Sequence, residues 1–505
     1  MEIIYGRNRK EQLEPVRAKV TGKIPAWLQG TLLRNGPGMH TVGESRYNHW
    51  FDGLALLHSF TIRDGESAHE CAACAAAKDP KLTSFSYLTH TCPRFHGKLP
   101  DQHHGSVEKT SSNLRDQLHQ EKSTKTLETL EKVDYRKYVA VNLATSHPHY
   151  DEAGNVLNMG TSIVEKGKTK YVIFKIPATV PEGKKKGKSS WKHTEVFCSI
   201  PSRSLLSPSY YHSFGVTENY VIFLEQPFRL DILKMATAYI RGMNWASCLA
   251  FHREEKTYIH IVDQRTRQPV QTKLYTDPMV VFHHVNAYEE DGCIVFDVIA
   301  YEDNSLYQLF YLANLNRDFQ ENTKLTSVPT LRRFAVPLHV DKVMASKEWW
   351  GLHPPSHFLV GLELPRVNYT HNGKRYRYVF AAGVQWSPVP TKIIKYDILT
   401  KSSLKWTETD CWPAEPLFVP VPGAKDEDDG VILSAIVSTD PQKLPFLLIL
   451  DAKSFTELAR ASIDVDMHMD LHGLFIPDMD SEAKKQATSE EQRDRASDCR
   501  GAPPT

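Results

Sequence analysis

The chain has 505 residues, of which 41% are hydrophobic and 10% aromatic, and its formal net charge is +1. A charge so close to zero argues against nucleic acid as a partner, and no apolar run reaches the roughly 18 residues that span a membrane. Because the eight cysteines are scattered and the charged N-terminal stretch has no apolar signal core, we expect a cytosolic protein with at most peripheral membrane contact.

Short strands separated by turn residues are predicted from about residue 135 onward. They fall in the segments 171–178, 219–227, 248–264, 293–303, 374–386, 391–398 and 430–452. Two of these segments read as hairpins with polar tips, REEK within 248–264 and DPQK within 430–452. A β-propeller or a large sandwich would fit, and the propeller is favoured because strand pairs simply continue along the chain.

Three segments depart from the strand pattern. Residues 229–246 are apolar with interspersed basic side chains and predict a helix, either packed on the core or lying on a membrane surface. The basic segment 181–193 is predicted to be a solvated loop, with weak membrane docking as the alternative. Residues 479–505 are polar and predict a disordered tail after a single domain of 1–478.

Two adjacent histidines, His283 and His284, lie within the apolar, β-branched segment 280–303. Side chains of an extended chain alternate between faces, so His283 is predicted to share a face with Val281 and Val285. His284 then shares the other face with Phe282. A single inward histidine is most often a hydrogen-bonded core residue, and only further histidines nearby would indicate a site.

Other histidines lie in similar surroundings far apart along the chain. His147 precedes a proline, which favours an extended backbone, and His212 lies among aromatic residues. His468 and His472 lie in one segment, and alternation alone does not distinguish them. Such distant histidines can bind one metal ion only where separate sheets meet at a common axis, as they do in a propeller.

Nine motifs, in order, resemble those of the carotenoid cleavage oxygenase family. They are GTLLRNGPG (30–38), HWFDGLALLHSF (49–60), SHPHYDEAGNVLNMG (146–160), YYHSFGVTENY (210–220), VFHHVNAYE (281–289), LELPRVNY (362–369), WPAEPLFVP (412–420), DEDDGVILS (426–434) and LHGLF (471–475). The resemblance implies a seven-bladed β-propeller with Fe(2+) on its axis. Carried onto the matching motifs, it implies the ligands His147, His212, His283 and His472.

The resemblance also implies an activity, a dioxygenase that uses O₂ to cleave the central 15,15′ double bond of β-carotene into two retinal molecules. Glu363 and Glu415 are then implied as carboxylates that orient the ligand imidazoles from outside. Tyr210, Tyr301 and Trp412 lie beside these motifs and either line an apolar substrate tunnel or pack in the core. Two alternatives stay open: an isoform that binds iron or carotenoid without turnover, and a retinoid isomerohydrolase.

Two segments, 66–124 and 343–360, do not resemble the family. In the first, the expected strands are mostly absent from the pattern, SFSYLTHT (84–91) being a possible remnant, and so are a third orienting glutamate and an apolar membrane patch. Loss of such strands would open sheet edges and endanger ring closure. The same segment contains cysteines and histidines that could be drawn as a zinc module, although their spacing fits no standard finger. They are His69, Cys71, Cys74, His90, Cys92 and His96.

Overall fold

The computed structural model describes eleven stretches of the chain. They are residues 15–42, 45–63, 67–76, 118–122, 129–179, 190–238, 245–270, 274–315, 326–338, 361–384 and 389–478. Every strand pair within these residues is antiparallel. The prediction of an all-β fold is confirmed.

Within the described residues, six sheets of three or more strands follow one another along the sequence. The first sheet contains Gly30–Met39, Leu54–Arg63, Ser67–Ala76 and His472–Pro477. The second contains Leu143–Ala144, His149–Tyr150, Val156–Glu165, Lys168–Ile176 and Glu195–Pro201. The third contains Gly215–Val216, Tyr220–Glu225, Thr257–Asp263, Gln268–Pro269 and Leu274–Thr276.

The remaining large sheets continue this order. The fourth contains Val280–Glu290, Cys293–Tyr301 and Thr330–Pro337. The fifth contains Leu362–Arg366, Tyr378–Gly383, Lys392–Asp397 and Ser402–Trp406. The sixth contains Lys19–Gly22, Cys411–Pro413, Leu417–Pro420, Gly430–Ser438, Phe446–Asp451 and Glu457–Ser462. Successive sheets of this kind are arranged as propeller blades are, and the number of seven blades stays a prediction.

The smaller elements connect these sheets. Three strand pairs are Thr41–Val42 with Ser45–Arg46, Leu118–Lys122 with Thr129–Asp134, and Phe228–Leu230 with Leu249–Phe251. The α-helices are Ile232–Thr237, Ser305–Leu309 and Leu312–Leu315, and the 3₁₀ helices are Trp50–Asp52, Tyr135–Lys137, Ser190–His193, Trp245–Cys248 and Tyr369–His371. No helix in the described ranges is long and apolar enough to cross a membrane.

Both ends of the chain close the ring of sheets. The early strand Lys19–Gly22 completes the sixth sheet, where Val20 pairs with Ala461. The late strand His472–Pro477 completes the first sheet, where His472 pairs with Asn35. The first and the sixth sheet thus each contain a strand from the opposite end of the described chain.

Apolar clusters join neighbouring sheets. Ile222 of the third sheet packs in one cluster with Phe296 of the fourth. Phe380 of the fifth sheet packs with residues of the sixth, and its ring stacks on Phe418 with the centroids 5.3 Å apart. The largest cluster lies where several sheets meet and surrounds the residues of the candidate site. Face-to-face packing of this kind fixes how each strand end points towards the axis.

The predicted strands are found in every segment, but one hairpin prediction is wrong. The strand Leu249–Phe251 pairs with Phe228–Leu230, whereas Thr257–Asp263 pairs with Tyr220–Glu225, so REEK does not join two paired strands. The DPQK hairpin is confirmed, because Gly430–Ser438 pairs with Phe446–Asp451. The choice between these pairings depends on contacts with other strands, which a local polar tip does not reveal.

Two further expectations need correction. In the described part of 229–246, the α-helix is Ile232–Thr237, whereas Phe228–Leu230 is a strand and Trp245–Cys248 a 3₁₀ helix. Asp231 caps the α-helix, and its carboxylate accepts from the Lys234 N–H at 2.9 Å. Residues 239–244 lie outside the described residues. Within the segment 66–124, Ser67–Ala76 forms a strand against Leu54–Arg63 and Leu118–Lys122 forms another, although strands were expected to be mostly missing there. The alanine-rich sequence of Ser67–Ala76 does not itself predict a strand. The strand forms because its backbone hydrogen-bonds with the neighbouring strand Leu54–Arg63. SFSYLTHT, 343–360 and the tail 479–505 lie outside the described residues.

Candidate metal centre

Four histidines from four different sheets meet at one point. His147 lies between two short strands of the second sheet, and His212 lies just before the third. His283 lies within the first strand of the fourth sheet, and His472 begins the last strand of the first sheet. One nitrogen from each ring lies within 4.8 Å of those of the other three. The structure therefore brings together all four residues that the resemblance implied as ligands.

The nitrogens that face the common point belong to the outer edges of the rings. The Nε2 atom of His472 lies 3.5 Å from Nε2 of His212 and 3.4 Å from Nε2 of His283. The Nε2 atom of His147 is buried and has no hydrogen-bond partner among the described residues. A buried imidazole nitrogen without a partner is costly unless it binds something, and a metal ion fits that requirement.

A β-bulge directs His283 into this point. Val281 pairs with Ala300 and His284 with Val298, so two residues, 282 and 283, oppose one residue of the partner strand. Strict alternation therefore fails here: Phe282 and His283 both line the same cleft, whereas alternation predicted opposite faces. His284 faces away, and its Nδ1 lies 3.1 Å from the Ser213 hydroxyl.

A threonine ties the segments of His147 and His212 together. The hydroxyl of Thr145 accepts from the His147 N–H at 3.1 Å and donates to the His212 carbonyl. The Thr145 carbonyl in turn accepts from the Asn158 amide at 3.1 Å. These bonds hold two loop segments, which lack a strand ladder of their own, in one position relative to each other.

The electrostatic surroundings favour the neutral form of three of these imidazoles. Burial lowers the pKa of His147 and of His212 well below the usual histidine range, and the neighbouring imidazoles lower it further. Burial also lowers the pKa of His472, although the nearby Glu415 acts in the opposite direction. Neutral imidazole is the form that coordinates a metal ion, so these three rings need no deprotonation before binding.

Glu363 orients His283. Its Oε2 accepts from the Nδ1–H of His283 at 2.6 Å, and its Oε1 accepts from the Tyr301 hydroxyl at 2.9 Å. Burial acts to raise the pKa of Glu363, but His283 and the other hydrogen-bond donors outweigh it, so the pKa lies below the usual range. The carboxylate is therefore charged and fixes the ring so that Nε2 faces the common point.

Glu415 orients His472 in the same way. Its Oε1 accepts from the Nδ1–H of His472 at 2.9 Å and from the Arg366 guanidinium at 2.7 Å. Its Oε2 accepts from Arg34 at 3.2 Å and from the Gly473 N–H at 3.1 Å. Burial opposes ionisation, but Arg366, His472 and Arg34 together hold the pKa of Glu415 far below its usual range.

The three aromatic residues expected in a tunnel have other contacts. Tyr210 hydrogen-bonds through its hydroxyl with Nδ1 of His212 at 3.0 Å, and Tyr301 donates to Glu363. Trp412 donates from its indole N–H to the Thr439 hydroxyl at 3.3 Å. None of the three is among the described residues that line the cleft beside the histidines. Tyr210 and Tyr301 instead extend the hydrogen bonds behind the imidazoles.

An apolar cleft of about 660 Å³ opens beside three of the four imidazoles. Aromatic and aliphatic side chains line most of it: Trp50, Phe51, Phe282, Leu306, Phe310, Leu364, Val384, Pro390, Met469 and Leu471. The sequence alone did not single out these residues as the lining of a cleft. The available signal was the motif HWFDGLALLHSF (49–60), which contains Trp50 and Phe51 and is rich in apolar and aromatic residues.

The proposed zinc module gains no support from the backbone. His69, Cys71 and Cys74 lie in the strand Ser67–Ala76, which pairs along the first sheet. A finger-type module would place its close cysteine pair in a turn instead. His90, Cys92 and His96 lie outside the described residues.

Comparison with known proteins places this arrangement in context. A family model described as retinal pigment epithelial membrane protein (RPE65) matches residues 5–74 and 112–477. The match leaves out 75–111, inside the segment expected to depart, and continues through 343–360. The chain is 76% identical over 547 residues to human β,β-carotene 15,15′-dioxygenase, covering 100% of both chains. It is 55% identical to the chicken protein of that name, covering 96% of this chain and 100% of the other.

A solved structure shows the same fold. The crystal structure of cobalt-substituted apocarotenoid oxygenase from Synechocystis superposes with a TM-score of 0.68 at 22% identity, covering 93% of this chain and 96% of that one. The likeness concerns the course of the backbone through the sheets, and it agrees with a propeller whose blades direct side chains to one axis.

Proposed function

We propose that this chain, which belongs to the RPE65 family of carotenoid oxygenases, holds Fe(2+) on its four histidines and cleaves the central 15,15′ double bond of β-carotene with O₂, giving two molecules of retinal. The observation that carries the proposal is the convergence of four imidazoles beside an apolar cleft. Relatives that are 76% and 55% identical are named for this reaction.

The donor set suits iron. Neutral imidazoles bind Fe(2+) well and leave its positive charge uncancelled, which a carboxylate ligand would not. His147, His212, His283 and His472 would hold the ion. Glu363 and Glu415 would orient the rings of His283 and His472 from behind, and the charge of Glu363 would offset part of that of the ion. The bound iron would supply the redox-active centre at which O₂ reacts.

The chain's own residues bind and position the substrate. The cleft offers aromatic rings, among them Phe51, Phe282 and Phe310, against which a polyene can pack while water is excluded. Ring faces also stabilise positive charge that develops on a polyene. In the balanced reaction the carbon–carbon double bond breaks, and each oxygen atom of O₂ becomes the carbonyl oxygen of one aldehyde.

Turnover with labelled oxygen tests the proposal. The purified full chain is loaded with Fe(2+) and given β-carotene in detergent micelles under ¹⁸O₂, and the aldehydes are reduced at once because their oxygen exchanges with water. We expect two retinal-derived products per β-carotene, each carrying label, and no product from the His212→Ala variant. Conversion of a retinyl ester to an 11-cis product without cleavage would instead indicate an isomerohydrolase.

The remaining outcome concerns an isoform without turnover. Full-length protein that binds about one iron per chain yet cleaves no β-carotene would contradict the dioxygenase proposal and support a binding role.

The proposal also includes a cytosolic location with at most peripheral membrane contact. Four cysteines whose side chains the structure describes carry free thiols, as is usual in a reducing compartment: Cys198, Cys248, Cys293 and Cys411.

A further inference from the structure

A second group of charged side chains is buried behind Glu415, outside the ring of four histidines. It consists of Arg34, Asp470, His58 and His468, each exposing 1% of its surface or less. Arg34 lies in the central strand of the first sheet, where it pairs with His58 on one side and with Gly473 on the other. The group therefore lies directly under the residue that follows the ligand His472.

Arg34 connects two carboxylates. Its Nη1 donates to Oε2 of Glu415 at 3.2 Å, and its Nε donates to Oδ2 of Asp470 at 3.3 Å. Gly473 makes room for this side chain, because a Cβ there would lie 2.7 Å from Cδ of Arg34 and 2.2 Å from the Leu33 carbonyl oxygen. Because Gly473 has no side chain, the side chain of Arg34 fits beside it, and any larger residue at position 473 would displace Arg34.

His58 binds the same oxygen of Asp470 as Arg34 does. The Nε2–H of His58 donates to Oδ2 of Asp470 at 2.9 Å, and the ring of His468 lies next to that of His58 with centroids 5.1 Å apart. His58, His468 and Asp470 have the composition of a metal site. The Arg34 guanidinium already forms an ion pair with the same carboxylate, and a second cation there would be repelled in a buried position.

The charges of the buried arginines and carboxylates indicate what this group does. Glu415 accepts from both Arg34 and Arg366, and one carboxylate cannot neutralise two guanidinium groups. Asp470 supplies the second negative charge, so the two cations and two anions cancel. Without Asp470, an uncompensated positive charge would lie buried close to a site that binds a divalent cation, where low polarity makes repulsion strong.

We propose that Arg34 and Asp470 are positioning residues for the metal centre: Arg34 fixes Glu415, and through it the ring of His472, while Asp470 cancels the positive charge that Arg34 brings. The inference rests on the metal centre of the proposed function. It assigns a role to two residues outside the set of four metal-binding histidines, one of which, Asp470, also lines the cleft.

Cobalt binding tests this inference without turnover. Metal-free full-length protein is titrated with Co²⁺, and the dissociation constant and the visible absorption bands of bound Co²⁺ are recorded for each variant. We expect Asp470→Asn to weaken Co²⁺ binding by about tenfold, as loss of outer contacts does at other metal sites. The double variant Arg34→Gln with Asp470→Asn removes both charges and should recover most of the affinity, binding within about threefold of the unsubstituted chain. The remaining loss and a shift of the Co²⁺ bands would report the missing bond from Arg34 to Glu415, which Arg366 still holds.

A matched ion pair far from the centre serves as the control. Arg333 and Asp297 form a buried two-point pair in the fourth sheet, with distances of 2.8 and 2.7 Å. Asp297→Asn should lower the melting temperature yet leave Co²⁺ affinity and spectrum unchanged. A double variant that binds as weakly as Asp470→Asn, or an Asp470→Asn variant with unaltered affinity, overturns the inference while the metal centre stands. Failure of the unsubstituted chain to bind Co²⁺ overturns both.

Discussion

Glu363 and Glu415 each fix one imidazole, but their other partners differ in charge. Glu415 is surrounded by two guanidinium groups, whereas Glu363 has only the neutral Tyr301 hydroxyl and the Leu364 N–H besides His283. The charge of Glu363 is therefore the one that is left over to balance a bound cation. Substitution of Glu363 tests the centre without disturbing an ion pair.

Glu363→Gln should weaken iron binding by about 10-fold or more, since outer partners of metal-bound histidines typically contribute roughly 10–100-fold in affinity. The glutamine keeps the size of the side chain but removes its charge. The measurement is the iron-to-protein ratio after dialysis against graded chelator. Glu289→Gln is the control. Glu289 lies on the same strand as His283, six residues further along, and accepts hydrogen bonds from Thr217 and Asn219 instead of from an imidazole. Equal iron loss in both variants would contradict the role of Glu363.

Phe51→Ala should raise KM for β-carotene because the cleft loses an aromatic face. Burying a phenyl ring is worth roughly 1.5–3 kcal/mol, which corresponds to about a 10- to 150-fold loss in kcat/KM. Trp412→Ala is the comparison, since Trp412 lies outside the lining of the cleft. If Trp412→Ala raises KM as much as Phe51→Ala does, the tunnel prediction for Trp412 is right and the substrate path extends past the cleft.

At the scale of elements, one glutamine joins the strand of His283 to the segment of His212. The buried amide of Gln226 donates to the carbonyls of Tyr210 at 2.8 Å and of Val281 at 3.1 Å. Its oxygen accepts from the Val281 N–H at 2.6 Å. Two ligand-bearing segments from different sheets thus share one side chain, which fixes the distance between their imidazoles.

Gln226→Leu should reduce both stability and metal affinity. It removes the acceptor of the buried Val281 N–H, at about 1–3 kcal/mol. The Tyr210 carbonyl loses one donor but keeps the Ser209 hydroxyl. We expect a lower melting temperature together with several-fold weaker Co²⁺ binding by the folded protein. Gln264→Leu is the control, because Gln264 also donates to backbone carbonyls but at the edge of the third sheet. Loss of stability without loss of affinity would show that Gln226 supports only the fold.

The elements also show what the sequence could predict. Strands with continuous apolar, β-branched residues, such as those in 171–178 and 430–452, were predictable because burial of both faces leaves a local pattern. The meeting of His147 with His472 was not, since only long-range sheet order brings them together, and it entered through the family resemblance. The bulge before His284 leaves no local pattern either, because the extra residue is defined by the partner strand.

The whole molecule is closed by strands from both ends of the chain, and the closure at the sixth sheet depends on a glycine. Gly22 ends the strand Lys19–Gly22 with φ +83°, and its N-terminal neighbours pair with Glu457–Ser462. A Cβ at this position would lie 2.2 Å from the Leu458 carbonyl oxygen and 2.8 Å from Cα of Ala459. Neither atom belongs to a flexible side chain, so the strand itself would have to move away.

Gly22→Ala should therefore destabilise the protein by more than the strain of a left-handed residue, which alone costs about 1–2 kcal/mol. Gly423→Ala measures that strain by itself, because Gly423 has φ +77° and open space around its Cα. We expect Gly22→Ala to cost roughly 2 kcal/mol more than Gly423→Ala, the contribution of one or two lost ladder hydrogen bonds, measured by equilibrium urea unfolding. Equal losses in the two variants would mean that the N-terminal strand is not needed to close the ring. A larger loss of unfolding free energy for Gly22→Ala, with faster proteolysis of the sixth sheet, would show that the pairing of Lys19–Gly22 with Glu457–Ser462 limits the stability of the closed ring.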